Sequence, residues 1–298
     1  MKLDAAATDQ TKTTWGADSE HGPLTDVLLV KPEHFRWLPT SSISRATLDS
    51  ERSFDAELAA RQHAEMVECY EAEGVRTHFL EPDPSLPYQV FARDSSTSTP
   101  EGHIVLQPSQ PWRRGEYAAV VKFCLENEVP MVGMITAGSV EGGDVMIVEP
   151  GRVLIGESDA RTSPSGALQL ARMFEAQGWE ARIQPFPSRY VHMDVIAATL
   201  GEKLMAVCTE VAPSGLLRWL RQKGVDVIDI PESEAFGLGV NAMPLGPGKV
   251  LSAAGAKTVN AEMRARGITV LDPDLSMFTA GGGGPHCLGQ ALRREPCR

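Results

Sequence analysis

The chain has 298 residues, of which 42% are hydrophobic and 22% charged, a composition typical of a soluble globular protein. Its formal net charge of −11 at pH 7 argues against a nucleic-acid or an anionic-membrane partner, because both call for clustered Lys and Arg. No apolar run approaches the roughly 20 residues of a membrane span, and no basic segment followed by an apolar one marks a signal peptide. We therefore expect a cytoplasmic protein.

The sequence contains five cysteines, an odd number without paired spacing and without a C-x-x-C motif, so we expect reduced thiols. Cys69, Cys124 and Cys208 each lie in an apolar stretch, which is typical of a cysteine that packs as a small hydrophobe. Cys287 differs, because it follows four consecutive glycines in TAGGGGPHCLGQ (279–290). Glycine has the largest entropy cost on folding, so the run indicates positive φ or a close approach to a ligand.

One order of elements recurs along the chain: a β-rich segment with a glycine-containing turn, a helix of about a dozen residues, and a short apolar strand. The first copy is the loosest, with strand DVLLV (26–30), a long loop, helix 55–74 and strand 75–80. In the clearest copy, DVMIVEPGRVLIG predicts a hairpin, SPSGALQLARMFEAQG a helix and EARIQPF a strand. The five units span residues 26–80, 94–134, 144–186, 194–230 and 241–273.

Repeats whose starts are about 45 to 70 residues apart are typical of a solenoid, a propeller or a closed ring. Each unit begins at a carboxylate or an amide, at Asp26, Asp94, Asp144, Asp194 and Asn241. If five units close around an axis, these strand ends converge and bring Glu141 and His192 near Asp94 and Asp194. Acidic and imidazole groups are costly to bury without a partner or a task, so this convergence indicates a site.

The residues at this point carry a possible chemistry. Cys287, His192 and Glu141 form a candidate thiol–imidazole–carboxylate constellation, in which a thiolate attacks, an imidazole moves protons and a carboxylate orients the imidazole. Asp94 and Asp194 form a carboxylate pair, and two carboxylates in one plane can each accept paired N–H bonds from a planar guanidinium.

Other interpretations of these residues stay open. A lone cysteine in a glycine loop is more often structural than catalytic, and the EGGD and VHMD turns can serve as caps at strand ends. His192 with Asp194 offers metal-ligand types, although H-x-D has no standard ligand spacing. His286 is a candidate second base, but adjacent side chains in an extended chain point opposite ways.

Four motifs stand in order along the chain: FARD (91–94), EGGD (141–144), VHMD (191–194) and GGGGPHC (281–287). Together they resemble the guanidino-group-modifying enzymes, which include arginine deiminases, dimethylarginine dimethylaminohydrolases, arginine dihydrolases and amidinotransferases. The resemblance covers essentially residues 20–298. It implies that superfamily's α/β fold, the five-bladed α/β propeller (pentein) with pseudo-fivefold ββαβ modules, which agrees with the repeats.

The resemblance also implies a role for each residue. Cys287 is implied to attack the guanidinium carbon and form a covalent amidino-thioether. His192 is implied to protonate the departing amine and then to help water attack, while Glu141 holds His192 and the substrate nitrogens. Asp94 and Asp194 are implied to grip the guanidinium, whose positive charge favours the thiolate.

Single residues narrow the subfamily. Amidinotransferases usually have Asp where Glu141 stands, so Glu141 favours hydrolysis. Dimethylarginine hydrolases usually lack the Asp found here as Asp194, which favours an unsubstituted guanidinium. Arginine dihydrolases typically have an Asn-containing variant of the second motif, so Arg93-Asp94 favours a deiminase.

The chain also departs from arginine deiminases. It leaves no room for their extra helical insertion, and Gly282 stands where they usually have an Arg that contacts substrate. Arg161 in DARTS, and Arg113 or its neighbour Arg114 in PWRRGE, are in register with carboxylate-binding positions. Arg161 also precedes a predicted helix start, which favours an anion. Phe91, the first residue of FARD, belongs to the predicted substrate site together with Arg113 and Arg161.

The sequence thus predicts a flexible N-terminal segment (1–18) and a single catalytic domain (19–298). The predicted activity is cofactor-free and metal-free hydrolysis of the guanidino group of arginine or a related compound, of the deiminase type. Amidino transfer from arginine to an amine, and a dihydrolase-type or methylarginine-type hydrolysis, are the alternatives. The predicted partner is a small cationic guanidino compound, and the resemblance makes a homo-oligomer possible.

Overall fold

The computed structural model describes residues 15–297, and in this part of the chain the strands form five three-stranded sheets. The strands are β1 (Leu24–Val30), β2 (Arg76–Leu80), β3 (Ser96–Thr99), β4 (Gly102–Val105), β5 (Met131–Met134), β6 (Val145–Glu149), β7 (Arg152–Glu157), β8 (Glu180–Pro185), β9 (Ala197–Gly201), β10 (Leu204–Val207), β11 (Asp226–Asp229), β12 (Met243–Gly246), β13 (Lys249–Leu251), β14 (Thr269–Leu271) and β15 (Gln290–Arg294).

Helices and short turns connect these strands. The α-helices are α1 (Ser42–Leu48), α2 (Ala56–Ala72), α3 (Glu116–Glu126), α4 (Pro164–Ala176), α5 (Ser214–Gln222), α6 (Glu232–Phe236), α7 (Lys257–Ala265), α8 (Ser276–Gly281) and α9 (Pro285–Leu288). Turns of 3-10 helix lie at Ala92–Ser95, Pro111–Arg113, Gly142–Asp144, Ser188–Tyr190 and Met193–Val195. Among the described residues, no helix is both long and apolar enough to cross a membrane.

The third unit shows how the sequence builds each sheet. β6 and β7 pair antiparallel about the Pro150–Gly151 turn, and β8 returns parallel to β7 after α4. The Ser163 side chain caps α4 by accepting the Gly166 N–H, and Pro164 opens the helix. Apolar residues at helical spacing are buried on one face: Ala167, Leu170, Ala171 and Phe174. Complete burial of a side chain such as Phe174 stabilises the fold by about 1.5–3 kcal/mol. The hairpin, helix and strand predicted for this unit are confirmed by β6, β7, α4 and β8.

The first unit corrects the sequence analysis. β1 is the middle strand of its sheet, pairing parallel with β2 and antiparallel with the C-terminal strand β15, which the repeat pattern did not predict. β15 therefore takes the place of the first hairpin strand, and β1 takes the place of the second. Asp26 lies inside β1, where it pairs with Arg76 and His78 at 2.9 Å each. The expectation that Asp26 converges with the other strand-start residues was wrong.

The described residues begin inside the predicted flexible segment (1–18). Residues 1–14 of the predicted flexible segment lie outside the described residues. The Gly16 N–H donates to the Leu292 carbonyl at 3.0 Å, and the Ala17 N–H donates to the Thr99 carbonyl at 3.1 Å. Residues 16 and 17 are therefore held by two sheets, and the boundary between the flexible segment and the catalytic domain stays a prediction.

Neighbouring sheets contact each other mainly through their first strands, and the first unit contributes both β15 and its middle strand β1. β15 contacts β3, β6 contacts β9, β9 contacts β12, and β12 contacts β1. Between the second and third units, the turn Ala92–Ser95 contacts the turn Gly142–Asp144, which in turn contacts Met193–Val195. The segments that lead into the first strands of successive units therefore lie together.

Candidate active site

The segments that precede the first strands carry equivalent residues. Asp94, Asp144 and Asp194 lie in 3-10 turns that lead into β3, β6 and β9, and Asn241 directly precedes β12. In the remaining sheet, the residue that leads into the first strand β15 is Cys287, on the short helix α9. The thiol therefore occupies the place that a carboxylate or an amide takes in the other four units.

These residues tie each unit to the next. Oδ1 of Asp94 accepts the Gly143 N–H at 3.0 Å, and Oδ1 of Asp144 accepts the Met193 N–H at 2.8 Å. Oδ1 of Asn241 likewise accepts the backbone N–H of Cys287 at 3.2 Å. Because each bond joins one turn to the turn of the following unit, the carboxylates and the amide fix the positions of the reactive side chains.

Asp194 is the exception to this pattern. Its Oδ2 lies 2.8 Å from Nδ1 of His286 and 3.5 Å from Sγ of Cys287. Its Oδ1 is buried and has no hydrogen-bond partner within residues 15–297. An unsatisfied buried acceptor costs about 1–3 kcal/mol, so a hydrogen-bond donor that reached Oδ1 would remove that cost.

His192 and Glu141 form a buried pair. Nε2 of His192 lies 2.8 Å from Oε2 of Glu141, while the Ser109 N–H and hydroxyl donate to Oε1 at 3.0 and 3.2 Å. Burial alone raises the pKa of Glu141, but the charges of Arg161 and His192 outweigh it and hold the pKa well below its usual value. Burial lowers the pKa of His192, but Asp94 and the bonds to its neighbours raise it well above its usual value. His192 is therefore an imidazolium at neutral pH.

The backbone around His192 requires glycine. A Cβ atom on Gly143 would lie 2.6 Å from Nδ1 of His192, inside van der Waals contact. The EGGD motif therefore brings the backbone against the imidazole ring, and this close approach explains why the turn has no side chain at Gly143.

Cys287 is buried beside a donor and an acidic group. Nδ2 of Asn241 lies 3.2 Å from its Sγ, in a position to donate a hydrogen bond to the sulfur. Burial and the charge of Asp194 raise the pKa of the thiol to about 12, although His192 acts in the opposite direction. The resting side chain is therefore a thiol rather than a thiolate, and an added positive charge would shift it toward the reactive form.

The two predicted arginines are both buried and paired. Arg113 forms a forked pair with Glu116, at 2.8 Å for each of two N–O distances, and donates to Oδ2 of Asp94 at 2.7 Å. Arg161 contacts Oε2 of Glu141 at 3.3 Å and donates to the Thr40 carbonyl at 2.8 Å. Most donors of Arg113 are engaged within the protein, so its guanidinium orients Asp94 in the present structure.

Several of these groups line one small pocket. The residues that line it are Thr40, Ser41, Tyr88, Phe91, Asp94, Arg113, Arg161, Val191, His192, Gly281, Gly282 and Cys287. Gly282 has a φ of +102°, and a Cβ atom on Gly283 would lie 2.3 Å from the Phe91 ring. The glycine run thus serves to pass the backbone against Phe91 and the pocket, which answers why glycines precede the thiol.

The family model for "N,N dimethylarginine dimethylhydrolase, eukaryotic" matches residues 32–294. The chain belongs to this family. The resemblance to guanidino-group-modifying enzymes, first seen in four motifs, is thereby confirmed.

Relatives include the Bacillus subtilis protein YkgA, which is 28% identical over 93% of this chain and 94% of its own length. The arginine deiminase of Mycobacterium marinum is 26% identical over 86% of this chain and 70% of its own length. The Mycobacterium avium deiminase is 29% identical over 71% and 61%.

Solved structures show the same α/β fold. Dimethylarginine dimethylaminohydrolase from Pseudomonas aeruginosa, in complex with citrulline, has a TM-score of 0.77 at 24% identity over 91% of this chain and 100% of its own. The N-terminal domain of ArgZ, an arginine dihydrolase from cyanobacteria, has a TM-score of 0.79 at 15% identity over 90% and 98%. At these identities the likeness establishes the fold, an α/β architecture with mixed sheets.

Three side chains of the site are also of metal-ligand type. Potential ligand atoms of Asp94, Glu141 and His192 lie within 4.8 Å of one another. Arg113 and Arg161 already neutralise two of these side chains, and His192 is itself cationic. A divalent cation at this point would have to displace these positive groups, so the cluster suits a hydrogen-bonded network better than a metal.

Sequence reasoning placed some functional contacts less well than others. Asn241 was noted only as the start of a strand, yet both ends of its amide contact Cys287. His286 was expected to point away from the site, but α9 is helical there, and the imidazole reaches Asp194. Glu116 and Ser109 carried no motif. Only their place in the unit could have identified them, since Ser109 and Glu116 follow a hairpin, as Arg113 and Arg161 do.

Proposed function

We propose that the protein is a cysteine-dependent hydrolase of the guanidino group, of the deiminase type, acting on arginine or a closely related guanidino compound. The observation that carries the proposal is the meeting of a thiol, an imidazolium and the Asp94 carboxylate at one small pocket, with Glu141 in contact with that imidazolium and Asp194 in contact with that thiol. The curated relatives named above as arginine deiminases, and the family model, point to the same reaction class. The substrate-binding and catalytic roles below are part of this proposal.

Binding of a guanidinium would satisfy the two carboxylates. Asp94 is held by Arg113 and the Gly143 N–H, and each of its oxygens keeps a further lone pair for a substrate N–H. Oδ1 of Asp194 has no protein partner within the described residues and would accept a second N–H. A planar cation between two fixed carboxylates forms charge-assisted hydrogen bonds in one orientation, which directs its central carbon toward the sulfur.

The substrate charge would also activate the nucleophile. Asp194 raises the pKa of Cys287, so a guanidinium that neutralises this carboxylate lowers the pKa and releases the thiol proton to solvent. The thiolate then forms a bond to the guanidinium carbon. His192, held protonated by Asp94 and Glu141, donates its proton to the departing nitrogen, and ammonia leaves as the C–N bond breaks.

The same imidazole serves the second half of the reaction. His192 is now neutral and accepts a proton from a water molecule, whose oxygen attacks the carbon of the thiouronium intermediate. Collapse breaks the C–S bond and regenerates the thiolate, and the hydroxyl proton of the adduct passes to solvent as the neutral ureido compound is released. Glu141 keeps the ring in place through both steps and stabilises its charged form.

Methylated guanidines are a second candidate substrate class, favoured by the family model. The two carboxylates argue for the unsubstituted group, because a dimethylated nitrogen has no N–H to offer them. Amidino transfer is not favoured, since the deiminases and hydrolases among the relatives share the hydrolytic reaction and Glu141 stands in the place where transferases usually have Asp.

We further infer that the five sheets form the blades of one α/β propeller and that the predicted single catalytic domain (19–298) contains all of them. This inference is supported by contacts between strands of neighbouring sheets, which run from β15 to β3 and from β6 through β9 and β12 to β1. Pairing of β15 with β1 joins the first and the last described strands in one blade. The site lies where the blades meet.

Mass spectrometry of the products tests the proposed reaction. Arginine and dimethylarginine are incubated separately with the protein, with and without glycine or lysine as acceptor, and Cys287→Ala serves as the inactive control. Citrulline with ammonia from arginine supports the deiminase. Citrulline with dimethylamine from dimethylarginine supports the second substrate class, and ornithine released only with an acceptor refutes hydrolysis.

Acid-quenched protein gives an independent result. In the deiminase reaction ammonia leaves first, so the adduct on Cys287 retains the whole carbon chain of the substrate. In amidino transfer the amine leaves first, and the adduct retains only the amidino carbon and its nitrogens. Peptide mass mapping separates the two, and a Cys69→Ser variant controls for labelling of other thiols.

A further inference from the structure

A line of buried charged groups leads away from the candidate site on the side of Asp194 opposite its free oxygen. Nδ1 of His286 lies 2.8 Å from Oδ2 of Asp194, and Nε2 of the same ring lies 3.5 Å from Oε2 of Glu20. Oε1 of Glu20 lies 2.9 Å from Nη2 of Arg93. Glu20 comes from the N-terminal segment ahead of β1, so a residue outside the four motifs reaches the site through one imidazole.

None of these groups is in contact with bulk water. Asp194 is 0% exposed, His286 2% and Glu20 6%. Burial at this level disfavours an isolated charge by several kcal/mol, so the groups are stable only as a set with alternating sign. The set runs carboxylate, imidazolium, carboxylate, guanidinium, and each member touches a neighbour of opposite charge.

The charges that face His286 support its protonated state. Burial and Arg93 lower the pKa of His286, but the bonds to Asp194 and Glu20 outweigh them and raise it above its usual value. Burial raises the pKa of Glu20, but Arg93 and His286 bring it down to about 2. Arg294 lines the same internal cavity and donates to the Gly22 carbonyl at 2.8 Å rather than to Glu20.

The contact with His286 is what distinguishes Asp194 from its equivalents. Asp94 and Asp144 each use an oxygen to hold the backbone of the next unit, and Asp194 instead binds an imidazolium through Oδ2. With Oδ2 fixed, rotation of the carboxylate is restrained, and Oδ1 stays buried without a partner within residues 15–297.

We propose that Glu20, acting through His286, is a positioning residue that keeps the Asp194 carboxylate ionised and oriented with one oxygen free for the guanidinium. This inference rests on the proposed function. Glu20 contacts the His286 ring on the side away from Asp194, and Arg93 and the Ile147 N–H donate hydrogen bonds to Glu20. Because His286 also contacts Asp194, Glu20 restrains the position of that carboxylate.

Glu20→Gln tests the positioning role, because it keeps the shape and removes the charge. Glu295→Gln, at an exposed carboxylate outside the set, is the matched control. Each protein is labelled with 15N-histidine and titrated by NMR. The signals of His286 are identified by their loss in His286→Gln. The ring nitrogens report imidazolium and neutral forms directly, with no substrate present.

In the wild type and in Glu295→Gln, we expect His286 to be an imidazolium at pH 7. In Glu20→Gln its titration should move to lower pH by about one unit or more, because one of its two anionic partners is gone. If His286 is neutral at pH 7 in the wild type, the proposal is overturned by the wild-type titration alone.

The kinetic arm uses the guanidino compound that the wild type hydrolyses. For Glu20→Gln we expect kcat/KM to fall about tenfold at pH 8, mainly through KM, and the alkaline limb of its pH profile to move to lower pH with His286. An unchanged profile beside a shifted His286 titration overturns the positioning role and leaves the hydrolase standing. If the wild type hydrolyses no guanidino compound, the proposed function and the positioning role are both overturned. The NMR titration would then still show whether Glu20 and Asp194 keep His286 protonated.

Discussion

Asn241 holds Cys287 by both ends of its amide group. Its Oδ1 accepts the backbone N–H of Cys287 at 3.2 Å, and its Nδ2 lies 3.2 Å from the sulfur. The same Oδ1 accepts the Gly284 N–H at 3.1 Å, so one side chain fixes the turn that carries the nucleophile and donates toward the nucleophile itself. These two tasks can be separated by substitution.

Asn241→Asp should retain the fold and lose the reaction. The carboxylate can still accept both N–H groups, but it replaces the donor at sulfur with a negative charge, which opposes the thiolate. We expect kcat to fall on the order of 10²-fold with little change in Tm, measured by steady-state kinetics and thermal melting. Asn241→Ala should lower both, and Asn127→Asp is the surface control. Equal activity of Asn241→Asp and wild type would show that the donor at sulfur is dispensable.

The resting thiol should be slow to alkylate. Burial and Asp194 raise the pKa of Cys287 to about 12, so iodoacetamide inactivation should rise about tenfold per pH unit up to pH 10 without a plateau. The measurement is the rate at which iodoacetamide labels the peptide that contains Cys287, followed by mass spectrometry, with total labelling of Cys287→Ser as the background for modification of other thiols. A plateau near pH 8 would contradict a raised thiol pKa in the free protein.

Asp144 should make stability depend on pH. Burial raises its pKa from 3.8 to about 7, so the folded protein binds a proton between these values that the unfolded chain does not. Stability from this group is greatest below its ordinary pKa and is lost as pH rises toward 7. Asp144→Asn removes this dependence and keeps an oxygen for the Met193 N–H.

The Tm of Asp144→Asn should therefore lie closest to that of the wild type below pH 4, and the excess of the variant should grow with pH to roughly 2–6 °C or more at pH 8. Differential scanning calorimetry across this range measures the effect, and Asp226→Asn, at an exposed carboxylate, is the control. A difference that stays constant with pH would assign the effect to packing rather than to the carboxylate charge.

Gly283→Ala should damage the site. The added methyl would lie 2.3 Å from the Phe91 ring, so either the ring or the backbone ahead of Cys287 has to move. We expect kcat/KM to fall at least tenfold, because displacement of about 1 Å at a reacting group carries a cost of this order or larger. Gly255→Ala is the matched control, since its methyl would meet nothing within 4 Å. Activity near that of Gly255→Ala would mean that the loop tolerates the displacement.

The elements that local pattern encodes were predictable. The hairpin at β6 and β7 and helix α4 follow from alternation, caps and helical spacing, and these signals lie within a few residues. The pairing of β15 with β1 was not predictable in this way, because it joins residues more than 250 positions apart and β15 is a short segment after a glycine run. The misplacement of Asp26 follows directly from missing that pairing.

The residues of the candidate site also differ in whether the sequence could identify them. Cys287, His192 and Glu141 belong to motifs whose order along the chain is informative. Glu20 and Asn241 act through contacts across units, and their importance depends on which oxygen or nitrogen faces which neighbour. Such choices are made by side-chain geometry, which spacing along a sequence does not specify.

Placement of the thiol immediately ahead of β15 also has a consequence for biosynthesis. As the chain leaves the ribosome, Asp94, Glu141, His192 and Asp194 all emerge before residues 285–294, so the acidic receptor is translated before the nucleophile exists. Only when β15 pairs with β1 does Cys287 take its place among them. Assembly of the proposed site therefore waits for β15, which is translated after every other described strand.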